Sequence, residues 1–166
     1  MKTLYLLRHA KSSWDDPALP DHDRPLAPRG RKAAPRIGAE MARAGLIPDL
    51  ALCSTAQRAR ETWDLVAAQE LQTVAMETRR AIYDADGADL VALVQNLDEA
   101  NDRVLILGHN PTLEDAAARL AGEGDPAALS AMAAKFPTAA LAVLDFAVES
   151  WRAVGPGSGR LVRFLK

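Results

Sequence analysis

The stretch LYLLRHAKSSW, residues 4–14, runs the apolar residues Leu4–Leu7 directly into Arg8 and His9. A short apolar run of this kind reads as a buried strand, so two polar, reactive side chains at its end ask for a reason. The pattern is repeated further along. Leu50–Cys53 and Val104–Leu107 are buried strands of the same kind, Val74–Glu77 is a short one, and Ala139–Phe146 and Leu161–Leu165 follow. Segments of helical period lie between them. Arg31–Arg43 is closed by Gly45, with Pro35 marking a late start or a kink, and a second helix covers about 57–69. Ala88–Leu97 presents Leu90, Val91, Leu93, Val94 and Leu97 on its apolar side, and Pro111–Leu120 carries Pro111 near its first turn. The order β-α-β-α-(β)-α-β-α-β-β predicts an α/β fold, a three-layer α/β/α sandwich with a mainly parallel sheet. Gly122–Pro126 and Gly155–Gly159 look like linkers but are too short to part domains. Residues 1–166 are therefore expected to form one domain.

The chain has 166 residues and a formal net charge of -2, which gives no electrostatic reason to expect nucleic acid or an anionic membrane as partner. Its one cysteine, Cys53, excludes an intrachain disulfide and alternates with apolar neighbours as a core residue would. The opening MKTLYLLRHA has too short an apolar run for a secretory leader and lacks a small-residue cleavage site. No stretch approaches the roughly 20 apolar residues of a membrane span. A soluble, cytoplasmic protein is expected.

In open parallel sheets ligands bind beyond the carboxyl ends of the strands. Three such ends here carry polar residues: Arg8-His9, then Ser54 with Arg58, then His109-Asn110 in RVLILGHNPTL. Taken singly, each has a plainer reading. An arginine after a strand is usually a solvated charge, and a lone histidine there is usually a satisfied structural group. Their joint placement changes the balance, because two of the three histidines follow buried strands at matching positions. Two arginines and two histidines on one rim make a pocket for a tetrahedral dianion. Guanidinium forks bind phosphate oxygens in pairs, and helix N-termini add N–H donors.

LYLLRHAKSSW together with CSTAQRARETW and LILGHNPTL resembles the histidine phosphatase superfamily, the phosphoglycerate mutase-like fold, and especially its compact SixA-type phosphohistidine phosphatase branch. DRPLAPRGRKAA, residues 23–34, is similar to that branch's lead into the first helix, and FPTAALAVLDF, residues 136–146, to its penultimate strand. The resemblance implies that His9 is the nucleophile that takes up the phosphoryl group, and that Arg8 and Arg58 bind phosphate. It makes His109 the second histidine that contacts the phosphoryl oxygens. It implies no metal and no cofactor, and the chain contains no P-loop or HExxH segment.

The match departs from the family pattern in places. Ala10 stands where the RHG motif usually has Gly. Asp15 aligns with a neutral Asn of the mutases, and a carboxylate there would repel phosphate. The general acid that most phosphomonoesterases of the superfamily carry before the third helix is unassigned. Asp84 and Asp86 in IYDADGADL and Asp21 in PDHDRPL are the candidates, with Asp86 equally able to cap a helix. Trp63 to Asp102 is too short to hold a large cap subdomain. His22 is expected in solvent, and Trp14 to pack over the first loop rather than rim the pocket. Lys11 and Ser12 adjoin the nucleophile.

The function expected is a metal-independent phosphatase working through a phosphohistidine on His9, with protein phosphohistidine as substrate. A broad small-molecule phosphomonoesterase and a non-catalytic phosphate- or phosphohistidine-binding module are the alternatives. The partner is then a phosphorylated protein or a small phosphoester.

Overall fold

The computed structural model describes residues 1–166. The three strands read first lie side by side in it. Strands β1 (Lys2–Arg8), β2 (Leu50–Ser54), β3 (Ala75–Arg79), β4 (Arg103–Gly108), β5 (Ala121–Gly124), β6 (Leu141–Phe146) and β7 (Gly159–Leu165) form one sheet in the order β3-β2-β4-β1-β6-β7-β5. Only β6 runs against the rest: it is antiparallel to both β1 and β7, and every other pairing is parallel. The sandwich expected from the order of elements is the fold observed.

Period-2 alternation sorts the strand residues between two cores. Leu4, Leu6, Leu52, Val104, Ile106, Ala142 and Leu144 point to one face, and Tyr5, Leu7, Ala51, Cys53, Leu105, Leu107, Leu141 and Val143 to the other. The second face is covered by α1 (Pro28–Arg43) through Ala34, Ile37 and Met41, and by α2 (Gln57–Ala67) through Ala59, Trp63 and Val66. The first is covered by α3 (Arg80–Asp84), α4 (Gly87–Gln95), α5 (Thr112–Leu120) and α6 (Pro126–Ala134). Cys53 is fully buried, and burial pushes its thiol up to about 12.

Some boundaries differ from the sequence reading. Helix α1 begins at Pro28, whose ring suits the first turn, and continues through Pro35. Gly122–Pro126 is not a linker: it forms the edge strand β5 and the start of α6. Helix α3 occupies residues expected to be loop. Between α2 and β4 the chain makes only β3, α3 and α4, so no large cap subdomain stands over the sheet. No helix is long and apolar enough to cross a membrane.

Candidate active site

The carboxyl ends of β1, β4 and β2 meet because those strands are neighbours. Arg8 pairs in register with Gly108, and the next N–H, that of His9, donates to the Gly108 carbonyl at 3.1 Å. His9 and His109 therefore leave adjacent strands side by side, with ring centroids 5.1 Å apart. Strand β2 ends at Ser54, and the first turn of α2 carries Arg58 back over the same rim. The result is a cleft of about 390 Å³ lined by Arg8, His9, Lys11, Ser12, Trp14, Asp21, Arg24, Arg58, His109, Asn110 and Thr138. All four residues singled out from the sequence are in it. Of the acid candidates only Asp21 is.

His9 is 7% exposed, and its Nδ1 lies 2.7 Å from the Ala10 carbonyl oxygen. A carbonyl can only accept, so Nδ1 carries the proton and Nε2 holds the lone pair. Burial, joined by the charges of His109, Arg58 and Arg8, lowers the pKa of His9 to about 3 despite that hydrogen bond. The Ala10 N–H donates to Thr62 Oγ1 at 3.0 Å, and the Thr62 hydroxyl donates to the Arg58 carbonyl at 2.7 Å. The loop that carries His9 is thus fastened to the helix that carries Arg58.

The arginines are oriented by backbone and side-chain acceptors. An Arg8 Nη1 donates to the Phe136 carbonyl at 2.9 Å, and Asn110 Nδ2 donates to the same oxygen at 2.9 Å. Arg58 Nη1 donates to the Asp21 carbonyl at 2.6 Å and Nη2 to Asp21 Oδ2 at 3.0 Å. The Nε atoms of both Arg8 and Arg58 are buried with no partner in the protein. Buried donors of this kind are rare unless something else takes their hydrogen bonds. Arg58 Nη2 also lies 3.3 Å from His109 Nδ1, which makes that nitrogen the acceptor and leaves Nε2–H to donate to Ser54 Oγ at 2.7 Å. Burial and the Arg58 charge bring His109 down to about 4.

The carboxylates fall into two groups. Asp21 accepts from Arg58, from the Tyr83 hydroxyl at 2.7 Å and from Arg24 Nε at 3.2 Å. Burial works to raise its pKa, but these hydrogen bonds and the Arg58 charge outweigh it and hold the carboxyl at about 2. Asp84 and Asp86 do not line the cleft. Asp84 is exposed and paired with Arg80 at 3.1 Å, and Asp86 caps α4 by accepting from the Asp89 N–H at 2.8 Å. Asp15 also stays out of the lining and is exposed.

Two loop residues sit where the sequence reading did not put them. Trp14 is 67% exposed and rims the cleft, with the Arg24 guanidinium stacked 3.4 Å from its ring centre. His22 is half-buried rather than solvated: its Nε2 bonds Thr55 Oγ1 at 2.8 Å, and its ring meets the edge of Tyr83. Arg24, Tyr83 and Thr138 were not singled out from sequence, whereas Asn110 was, as the polar neighbour of His109. An arginine in a polar loop or a tyrosine in a five-residue helix carries no periodic signal, and only the folded chain reveals its acceptor.

The sequence model of the histidine phosphatase superfamily (branch 1) matches residues 4–90. Uncharacterized protein Rv1276c of Mycobacterium tuberculosis is 38% identical over 161 residues, covering 95% of this chain and 98% of its own. A crystal structure from Agrobacterium tumefaciens, provisionally named as the phosphohistidine phosphatase SixA, is 32% identical with a TM-score of 0.82, covering 99% of this chain and 97% of the other. A second structure under the same provisional name, from Nakamurella multipartitia, is 29% identical with a TM-score of 0.82, covering 99% and 95%. The family match, the near full-length relative and a cleft built at three strand ends agree: this chain belongs to the histidine phosphatase superfamily and is a hydrolase.

Proposed function

We propose that the protein is a metal-independent phosphatase that forms a phosphohistidine on His9, and that its substrate is a protein phosphohistidine. The observation that carries the reading is the hydrogen bond from His9 Nδ1–H to the Ala10 carbonyl, beside two arginines whose buried Nε donors have no partner. The bond fixes the tautomer that puts the lone pair on Nε2, and the arginines supply donors for phosphoryl oxygens as charge spreads over them.

In the first step His9 Nε2 bonds to phosphorus while the bond from phosphorus to the substrate's leaving atom breaks and takes its electron pair. Nδ1–H stays on Ala10, so the phosphorylated ring of His9 carries a positive charge. Water then attacks phosphorus, the P–Nε2 bond breaks, and His9 departs as a neutral imidazole. The water loses a proton to solvent and inorganic phosphate is released. The enzyme needs no acid for its own histidine, because the Nδ1 proton already makes it a good leaving group.

The same reasoning favours a P–N substrate. Asp21 lines the cleft but is an ionised carboxylate at neutral pH, and the other acid candidates lie elsewhere. An alkoxide would leave without a proton donor, whereas the imidazole of phosphohistidine leaves neutral once its far nitrogen is protonated. A compact protein without a large cap also leaves the cleft open to a phosphate displayed on another protein. Its place of action in this reading is the cytoplasm.

The test is hydrolysis, in chelator, of a phosphohistidine-bearing carrier protein beside para-nitrophenyl phosphate and phenyl phosphate. The expected result is turnover that His9→Ala abolishes, with the phosphoprotein preferred and phenyl phosphate worst. Equal turnover of all three would point to a broad phosphomonoesterase. Phosphate binding without turnover would point to a binding module.

A further inference from the structure

We infer that Trp14 is the floor of a leaving-group subsite, whose occupant is the imidazole ring of the phosphohistidine. The inference deepens the reading above and rests on it for the identity of the ring. A single exposed apolar residue is ordinary on a protein surface, so exposure alone would carry nothing. Three features of Trp14 are not ordinary. It lines the same cleft as His9, it is 67% exposed, and it is held flat by a guanidinium that is itself buried, Arg24 being 6% exposed.

Arg24 cannot swing away and let the indole collapse onto the loop. Its Nε donates to Asp21 Oδ1 at 3.2 Å, and one Nη1 donates to both Ser12 Oγ at 3.0 Å and the Ser13 carbonyl at 3.1 Å. The loop is closed at its base as well, by the Ser12–Leu26 bridge and the Ser13 N–H to the Pro25 carbonyl at 2.8 Å. One face of the indole is therefore covered by a fixed cation and the other is presented outward.

The chemistry of this wall selects the occupant. Ser12 Oγ and Asp21 Oδ1 each accept from Arg24, and the outer face of the indole is itself flat and apolar and offers no hydrogen bond. A sugar or glycerol phosphate would bury hydroxyls against it without partners, which costs binding. A planar ring without hydroxyls stacks on it favourably. With the phosphoryl group between Arg8 and Arg58, an imidazole bonded to phosphorus is the group that lies beyond the phosphate in such a substrate.

The test is equilibrium binding, which needs no turnover. The probes are a stable triazolylphosphonate analogue of phosphohistidine and inorganic phosphate, titrated by calorimetry into wild type, Trp14→Ala and Trp14→Phe. The expected result is that Trp14→Ala weakens the ring analogue about five- to tenfold relative to phosphate, while phosphate affinity is unchanged and Trp14→Phe keeps most of the preference. An unchanged ratio of the two affinities in Trp14→Ala would overturn the subsite. Equal weakening of both probes would overturn it too, because Trp14 would then act only by shaping the phosphate cradle. Failure of the proposed reaction looks different: wild type would discriminate the ring analogue yet hydrolyse no phosphohistidine.

Discussion

Asp21 shows how one side chain can occupy an acid's place without being an acid. It takes hydrogen bonds from Arg58, Tyr83 and Arg24, and each of them stabilises the charged form. A group held at about 2 has no proton to give at neutral pH. In the proposed reaction its work is done through Arg58, whose guanidinium it holds at Nη1 and Nη2 so that the buried Nε is left for a phosphoryl oxygen. Asp21→Asn keeps the shape and removes the charge, and it is expected to lower kcat/KM about tenfold, the scale of one hydrogen bond to a charged group. The loss should be the same for phosphohistidine and for phenyl phosphate, because a misplaced Arg58 harms both. A loss confined to phenyl phosphate would make Asp21 the proton donor after all. Tyr83→Phe removes one of the donors and should move both substrates in the same direction by a smaller factor.

At the scale of elements, the cleft depends on how α1 and α2 are docked to the loop after β1. Thr62 joins the Ala10 N–H to the first turn of α2, and both groups are buried. Thr62→Val keeps the volume but leaves the Ala10 N–H unpaired, at a cost of about 1–3 kcal/mol. A lower urea midpoint and a fall in kcat that exceeds the rise in KM are expected, since the Ala10 carbonyl orients His9, the nucleophile of the proposed reaction. Helix α1 approaches the same loop at Gly30, where an added Cβ would stand 2.2 Å from the Lys11 carbonyl oxygen. Backbone on both sides cannot yield as a flexible side chain would, so Gly30→Ala should destabilise by about 1–3 kcal/mol, read as a drop in Tm. Neither contact is visible in the sequence, although Thr62 lies in the CSTAQRARETW stretch that carries Arg58. The elements themselves were legible wherever apolar residues recur with a clear period, as in Leu4–Leu7 or Val104–Leu107. They were not where the period is missing. Strand β5 is AGEG and carries no apolar residue larger than alanine, and α6, PAALSAMAA, is apolar on most sides, though Asp125 and Pro126 are a cap and first-turn pair that could have signalled it.

Across the whole molecule, the sheet order explains both what could be foreseen and what the cleft costs. Parallel neighbours β2, β4 and β1 bring three strand ends together, so residues distant in sequence converge by topology; the rim could be read from the strand pattern for that reason. The side chains that orient it, Arg24 and Tyr83 above all, reach it from a loop and from the five-residue helix α3, whose paths no periodicity dictates. Convergence also buries His9 and half-buries His109 among arginines, and that has a consequence for stability. His9 and His109 titrate at about 3 and about 4 in the folded protein, while the unfolded chain takes up these protons near the ordinary histidine value of about 6.5. Above that pH both states are neutral at these positions and the stability is fully present. As pH falls below about 6.5 the unfolded chain binds protons that the folded one refuses, so stability declines until the folded values are reached. Urea midpoints measured between pH 7.5 and pH 4 should therefore fall steadily. Replacing both histidines, as His9→Asn with His109→Asn, should flatten that slope in the window from 6.5 to 4, whatever it does to the midpoint at neutral pH. A slope unchanged by the double substitution would assign the acid sensitivity to the carboxylates, and would mean that the cleft tolerates a charged histidine in the folded state.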